Sequence, residues 1–106
     1  MIKTDSKFYN FEKAVIACGA FSKKLTDQVN EKIPLDTERG YHVHFKGHDH
    51  LLSRPVIFLN RGFGITPMEQ GLRVVGTVEF GGLKNPVSKK RIQNLVNSAK
   101  YLLPEL

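Results

Sequence analysis

The sequence has no tryptophan and only one cysteine, Cys18, among its 106 residues. A lone cysteine cannot form a disulfide within the chain, and it cannot supply a CxxC redox pair or a zinc-finger ligand set. The longest apolar runs, 14–17 and 55–59, are far shorter than the roughly 20 residues that a membrane-spanning helix requires. No apolar leader segment with a cleavage site follows Met1. These absences lead us to expect a reducing, cytoplasmic location.

Acidic residues are outnumbered, because 16 lysines and arginines stand against 10 aspartates and glutamates, giving a net charge of +6. Nucleic-acid binding requires basic residues that cluster on one surface. Here the basic residues are spread along the chain, and the short runs at 23–24 and 89–91 coincide with expected helix starts. We therefore expect no nucleic-acid partner.

Histidine is the residue type most suggestive of a metal, since four of them lie at 42, 44, 48 and 50. His42 and His44 would share one face of a strand, and two such imidazoles can ligate one ion. The alternative is a solvated polar face that ends in a polar turn. The spacing is common by chance, and we predict no metal site.

The hydrophobic pattern predicts an α+β fold. Residues 13–18 form a short apolar run that ends at Gly19, which is typical of a strand buried on both faces. Apolar residues at 21, 25 and 29 then predict a helix within 20–30, and Pro34 ends that region. Such a strand needs parallel neighbours, so we interpret this unit as a strand-helix remnant of a larger sheet.

From residue 35 onward the pattern predicts an antiparallel sheet with a covering helix. Short β-rich runs at 37–45, 54–59, 63–68 and 72–80 are separated by turn residues. Pro55 favours an edge position for the second of these strands. Ser88 is a suitable N-cap for a helix whose apolar stripe runs from Ile92 to Leu103, and Pro104 ends it.

Several motifs, in order, resemble one known family. The run VIACGAFS at 15–22 is similar to a segment of the FAD enzymes of the D-amino-acid oxidase and glycine oxidase family, with Phe21 where tryptophan is common and Cys18 where alanine is usual. PLDTERGYH at 34–42 resembles the passage that opens the substrate domain of that family. ITPM at 65–68 and GLRVVGTVE at 71–79 look like a strand-turn-strand unit of bacterial D-amino-acid dehydrogenases. The resemblance covers most of the chain.

This resemblance implies that residues 1–30 end an FAD-binding domain and that 31–106 form part of a substrate-binding domain. The implied cofactor is FAD in the full-length parent, and the implied reaction is oxidation of an amino acid by hydride transfer to the flavin. No catalytic side chain is implied, and the sheet would act as a wall over the flavin. The implied cofactor-binding residues are Ala17, Cys18, Gly19 and Ala20. The implied substrate-binding residues are Arg39, Gly40, Tyr41, Thr66, Thr77 and Glu79.

Two family motifs are missing from the sequence. The dinucleotide fingerprint GxGxxG is absent, since Gly62-Phe63-Gly64 lacks the third glycine and the helix that should follow. A downstream Gly-Leu-Arg-Pro passage, whose arginine would clamp the substrate carboxylate, is absent too. We therefore interpret the chain as an internal fragment, inactive alone, whose partners are the remainder of the parent chain and an amino-acid substrate. A peripheral membrane or quinone contact of the parent is compatible with this interpretation.

A second hypothesis is a free-standing small module that binds a metal or a nucleic acid. It predicts that the reading frame closes near Leu106 and that zinc or RNA changes the stability of the protein. The fragment hypothesis predicts a frame that continues upstream to GxGxxG and downstream to the Arg-Pro passage. The sequence leaves open which amino acid is oxidised, which electron acceptor is used and what the oligomeric state is.

Overall fold

The computed structural model describes all 106 residues and divides them into two compact units, Met1–Leu35 and Asp36–Leu106. Both units combine helical segments with antiparallel strand pairs, so the α+β prediction is confirmed. The assignment of 1–30 and 31–106 to two parent domains stays a prediction. Neither α-helix of the chain combines the length and the apolar character that crossing a bilayer demands.

The first unit is built from very short elements. Strands β1 (Ile2–Lys3) and β2 (Phe8–Tyr9) pair antiparallel. A 3-10 turn at Gly19–Phe21 leads into helix α1 (Ser22–Thr26), and a second 3-10 turn at Asp27–Val29 follows. The helical prediction for 20–30 is thus confirmed, although the region is a short α-helix between two 3-10 turns and not one continuous helix.

The predicted buried strand at 13–18 was wrong for this chain. These residues have no regular structure and all are exposed. A strand exists only where ladder hydrogen bonds join it to a neighbour, and β1 and β2 pair with each other and with nothing else. The apolar run therefore has no ladder to enter within the chain, and the strand part of the predicted strand-helix unit is not formed.

The second unit is a four-stranded antiparallel sheet in the order β3-β6-β5-β4. Its strands are β3 (Arg39–Phe45), β4 (Val56–Phe58), β5 (Phe63–Met68) and β6 (Gly71–Glu79). All four predicted runs form strands, and the strand after Pro55 lies at the edge as predicted. Proline there is tolerated because an edge strand need not donate a full set of ladder bonds.

Helix α2 (Lys89–Leu102) follows the sheet and packs on β3 and β6. Ser88 caps it as predicted, because its hydroxyl accepts a hydrogen bond from the N–H of Arg91 at 3.4 Å. Leu95 and Ala99 of α2 are buried on the sheet, and Ile92 and Leu102 flank them half-buried. One face of the sheet is thereby covered.

The hairpin between β5 and β6 sets the register of the centre of the sheet. Met68 pairs with Gly71, so Glu69 and Gln70 form a two-residue loop. Gly71 has a φ of +119°, and a Cβ at this position would overlap the carbonyl oxygen of Phe45 on β3. Only glycine fits this turn, because a side chain would be both strained and blocked.

The core lies between the sheet and α2. Its buried members are Tyr41, Phe63, Ile65, Leu72, Val74, Leu95 and Ala99. All seven belong to the second unit. In the first unit every residue is exposed or half-buried, so that unit has no core of its own.

Leu72→Ala should destabilise the second unit strongly, since Leu72 is fully buried at the centre of the core. We expect the free energy of unfolding in urea to fall by about 2–5 kcal/mol. Leu59→Ala is the matched control, because Leu59 is 86% exposed and should change stability by no more than about 0.5 kcal/mol. Equal effects of the two substitutions would show that the core is misplaced.

Candidate functional site

The sheet has a second face, opposite to the one on which α2 packs. Residues directly opposite each other in neighbouring strands share a face. The first row on the uncovered face is His42, Val75, Gly64 and Ile57, and the second row is His44, Arg73 and Thr66. Val75 is 37% exposed and Ile57 is 72% exposed, although both lie in strands. The face therefore offers an apolar surface edged by imidazoles and a guanidinium.

Arg73 is placed on this face by strand alternation, since its neighbours Leu72 and Val74 are both fully buried on the covered side. Its Nε is shielded from solvent and has no hydrogen-bond acceptor. Both ion pairs of the chain involve Glu79, so no carboxylate pairs with Arg73. An unsatisfied buried donor costs about 1–3 kcal/mol, and Nε is the one nitrogen of this guanidinium that is shielded in this way.

A cavity of about 310 Å³ opens beside Arg73. Its lining comes from β3 and β6 and consists of Gly40, Tyr41, His42, Arg73, Val75, Gly76, Thr77 and Val78. The volume suits a small polar molecule, at the low end of the range typical of ligand pockets. The open face thus has a concave part, and Arg73 belongs to it.

On the covered side, Tyr41 and Glu79 tie the sheet to α2. The Tyr41 hydroxyl donates to Oε2 of Glu79 at 2.7 Å and accepts from the backbone N–H of Ser88 at 3.0 Å. Nε of Arg91, in the first turn of α2, lies 3.8 Å from Oε1 of Glu79. Because Tyr41 is only 7% exposed, its two hydrogen bonds, which hold the start of the helix against the strands, are largely shielded from water.

Arg39 joins the same network. Its guanidinium donates to the carbonyl oxygen of Asn85 at 2.8 Å and to that of Pro86 at 3.3 Å. It also pairs with Glu79 at 3.5 Å. Arg39 thereby fastens the loop that precedes α2.

A β-bulge at Thr77 interrupts β6. Gly40 pairs with Val78 and Tyr41 pairs with Gly76, so Thr77 is the extra residue of its strand. Its φ is +62°, a left-handed conformation that is strained for a β-branched residue. Bulges of this kind are frequent beside active sites, where they redirect side chains. The bulge brings Val78 to the uncovered face and Glu79 to the covered one.

A second cleft, of about 510 Å³, lies between the sheet and α2 at the bulge. Its lining includes Thr77, Asn94, Asn97 and Ser98, and the Arg61 guanidinium lies 4.0 Å from the centre of the Tyr101 ring. The guanidinium is thus already engaged in a cation–π contact. No buried side-chain nitrogen or oxygen of this cleft lacks a hydrogen-bond partner.

The predicted cofactor-binding residues lie together in the first unit, in the exposed segment that enters α1. The N–H of Cys18 donates to the Ser22 hydroxyl at 3.1 Å, which closes a tight turn. Gly19 has a φ of +53°, and a Cβ there would meet nothing within 4 Å. Ala17 and Ala20 add only methyl groups, so a planar or chain-like ligand can approach this backbone closely.

The histidines form two separate pairs. The ring centroids of His42 and His44 are 5.3 Å apart, and those of His48 and His50 are 6.4 Å apart. Nowhere in the chain do three or more His, Cys, Asp or Glu side chains gather closely enough to hold a metal ion. The two pairs thus act as separate polar surfaces.

Comparison with known proteins decides the family. A model of the FAD-dependent oxidoreductase (DAO) family matches residues 2–106, which is nearly the whole chain. The chain belongs to the FAD-dependent oxidoreductase family. It is also 35% identical, over 95 residues, to a D-amino-acid oxidase of Bradyrhizobium diazoefficiens. That alignment covers 90% of this chain and 23% of the relative, so the chain spans about a quarter of the relative's length. No solved structure matches it.

Within this member of the FAD-dependent oxidoreductase family, the six predicted substrate-binding residues do not form one cluster. Arg39, Tyr41 and Glu79 meet in the network beneath α2. Gly40 and Thr77 lie at the bulge beside the cavity, and Thr66 lies opposite Arg73 on the uncovered face. Their roles toward substrate stay predictions.

Sequence reasoning missed Arg73, Arg91 and the N–H of Ser88. Arg73 had a signal, because a charged residue between two apolar ones in a strand must point away from the core. Arg91 and Ser88 had none, since Arg91 pairs with Glu79 on β6 and the Ser88 N–H donates to the Tyr41 hydroxyl on β3. Their contact depends on how α2 docks on the sheet.

Tyr41→Phe tests the network of this family member. It removes a hydrogen bond to the Glu79 carboxylate and leaves the Ser88 N–H without its acceptor, so unfolding free energy should fall by about 1–3 kcal/mol. Tyr101→Phe is the matched control, because Tyr101 is 67% exposed and keeps its ring contact with Arg61. Urea denaturation of both variants measures the difference. Equal stabilities would contradict the network.

Thr77→Gly tests the strain at the bulge. A left-handed conformation costs an L-residue about 1–2 kcal/mol, whereas glycine loses about 0.5–1 kcal/mol through its unfolded-state freedom. The substitution should therefore raise the unfolding free energy slightly, by up to about 1 kcal/mol. Thr66→Gly, in regular strand, should lower it by about the same amount. Thermal denaturation that gives both changes the same sign would refute the strained bulge.

Proposed function

We propose that the chain is part of a longer FAD-dependent enzyme of the D-amino-acid dehydrogenase or oxidase type. The enzyme oxidises an amino acid to an imino acid, which water converts to a 2-oxo acid and ammonia. Support comes from the family match over residues 2–106 and from the relative named as a D-amino-acid oxidase. The chain spans 23% of that relative, which is why we assign the activity to the longer protein and none to the chain alone.

One observation carries the proposal beyond the family: within its own unit, α2 packs on only one face of the sheet. That face carries Leu72 and Val74, whereas the face that carries His42, Arg73 and Val75 borders a cavity. A sheet that leaves such a face open supports a role as a wall against a ligand. In our proposal the uncovered face borders the amino acid and the flavin.

The residues at 17–20 are suited to contact FAD, but the chain lacks the motif that binds its pyrophosphate. The small side chains at 17–20 and the open space at Gly19 suit close passage of a dinucleotide. The sequence has no GxGxxG, so the helix N-terminus that binds a pyrophosphate in dinucleotide-binding folds must come from other polypeptide. When bound, FAD supplies the electron-accepting chemistry, taking up hydride from the substrate's α-carbon. The chain's own residues bind and orient the amino acid and exclude water.

The exposed apolar side chains of the first unit indicate that further polypeptide packs against it. None of its side chains is buried, and Val15, Phe21 and Val29 are 91%, 60% and 61% exposed. A unit without any buried side chain has no apolar core of its own to stabilise it. We propose that the remainder of the FAD-binding domain covers it, and that the apolar run at 13–18 gains its ladder partners there.

The alternative, a small free-standing module, is less favoured. The family match extends over the whole chain, and the histidines are not gathered into a group that could hold a metal. A reading frame that encodes little more than these residues would favour the free-standing module. A frame that continues to GxGxxG on one side and to an Arg-Pro passage on the other supports the enzyme.

The full-length protein should purify with bound FAD, and an added D-amino acid should bleach its oxidised-flavin absorption under anaerobic conditions. The 106-residue chain alone should form no stoichiometric complex with added FAD, because the main anchor lies elsewhere. A colourless full-length protein, or one whose flavin no D-amino acid reduces, would end the proposal.

Gly19→Val in the full-length protein tests the contact at 17–20. A branched side chain there would fill the space that we assign to the cofactor, so FAD content should drop at least about tenfold, as expected for the loss of a close backbone approach. Gly82→Val is the matched control, since Gly82 also has a positive φ of +73° and open space around it. Both substitutions carry the same backbone strain. Equal FAD content in the two variants would separate residues 17–20 from the cofactor.

A further inference from the structure

We propose that the cleft between the Thr77 bulge and α2 is a binding site for the phosphate group of a small organic molecule. The cleft has a volume of about 510 Å³. Its polar lining consists of Arg61, Thr77, Asn94, Asn97, Ser98 and Tyr101. The cleft lies on the side of the sheet on which α2 packs, so the inference is independent of the proposed function.

The charge of the cleft carries the first step. None of the residues that line it is an aspartate or a glutamate, and Arg61 is the one charged residue among them. Both ion pairs of the chain are made by Glu79, so no carboxylate of the chain neutralises Arg61. A concave surface lined by charge of one sign attracts ions of the opposite sign. The cleft therefore favours an anion.

The position of the Arg61 guanidinium carries the second step. Its central carbon lies 4.0 Å from the centre of the Tyr101 ring, and this contact holds the guanidinium at the mouth of the cleft. A contact through the central carbon leaves the N–H donors at the rim of the group available. The arginine side chain that donates hydrogen bonds within the chain is Arg39, so the donors of Arg61 are free for a ligand.

A stripe of neutral polar side chains on α2 carries the third step. Asn94, Asn97, Ser98 and Tyr101 stand at positions i, i+3, i+4 and i+7, so they share one side of the helix. The side-chain oxygen of Asn97 accepts from the Gln93 amide at 3.0 Å, which leaves the Asn97 NH₂ group as a donor. Asn, Ser and Tyr are weaker helix formers than Ala or Lys. Hydrogen bonding to a ligand explains this stripe better than helix stability does.

The bulge supplies the opposite wall of the cleft. Thr77 lines it with a backbone φ of +62°, and strained residues of this kind concentrate at binding sites. The hydroxyl of Thr77 adds a donor that faces those of α2 across the cleft.

This set of donors suits a phosphate better than a carboxylate. One guanidinium can satisfy both oxygens of a carboxylate, whereas the three terminal oxygens of a phosphate ester need further donors around the charge. Here hydroxyl and amide donors surround one arginine. The volume of about 510 Å³ is typical of small-molecule pockets, so there is room for an organic group beside the phosphate.

Arg61→Gln in the full-length, FAD-loaded protein is the first test, with Arg54→Gln as the matched control. Both variants lose one positive charge, but Arg54 is exposed, lies before β4 and does not line the cleft. Calorimetric titration with glucose 6-phosphate as the probe should show affinity at least about tenfold weaker for Arg61→Gln. Arg54→Gln should match the wild type, and glucose, the neutral analogue, should bind all three proteins equally weakly.

Asn97→Asp tests the helix side of the cleft. Aspartate keeps the oxygen that accepts from Gln93 and replaces the NH₂ donor with a negative charge, so affinity for glucose 6-phosphate should again fall at least about tenfold. Asn10→Asp, in the first unit, makes the same charge change outside the cleft and should leave affinity unchanged. Because Arg61 and Asn97 are exposed, FAD content and far-ultraviolet circular dichroism should match the wild type in every variant.

Inorganic phosphate as a second probe identifies what the site binds. Affinity equal to that for glucose 6-phosphate assigns the site to the phosphate group alone, and weaker affinity assigns part of the binding to the organic group. The inference is overturned if the wild type binds neither probe, as it would if a carboxylate of the parent chain filled the cleft. It is also overturned if Arg61→Gln and Asn97→Asp bind both probes as the wild type does. Either result leaves the proposed function standing, since reduction of the flavin by a D-amino acid is measured separately.

Discussion

A sheet has two faces, and within the second unit α2 packs on only one of them. Burial of apolar surface is the main force that holds a small unit together, and here it acts between α2 and one face, where Leu72, Val74 and Ala99 are fully buried. The same alternation that sends these side chains inward sends Arg73 and Val75 outward. The position of α2 therefore decides which side chains lie on the opposite face, where a ligand could contact them.

The network around Glu79 makes that arrangement specific. Tyr41, Arg39 and Arg91 converge on one carboxylate from β3 and from the start of α2. Helix packing by apolar contact alone tolerates sliding, whereas hydrogen bonds of fixed geometry do not. The bulge at Thr77 is part of the same arrangement, because without the extra residue Glu79 would point to the uncovered face. The bulge at Thr77 reverses which side chains face α2, and the resulting contacts of Glu79 offset the backbone strain at Thr77.

Sequence patterns were sufficient wherever the determining interaction was local. Alternation in 39–45, the turn glycines and the capped apolar stripe of α2 predicted the sheet and its helix, and the edge position followed from Pro55. The apolar run at 13–18 misled, because its pattern describes a strand in a larger sheet and this chain gives it no ladder partner. The Thr77 bulge and the Glu79 network could not be predicted, since both depend on register and docking between segments distant in sequence. Arg73 was within reach of the alternation rule and was overlooked.

The central claim is that the uncovered face borders the substrate and the flavin. A crystal structure of the full-length protein with FAD and succinate tests it most directly. The account predicts that the succinate and the flavin ring lie on the same side of the sheet as His42 and Val75. A structure in which another helix of the parent packs over these rows, with FAD and succinate elsewhere, would contradict it.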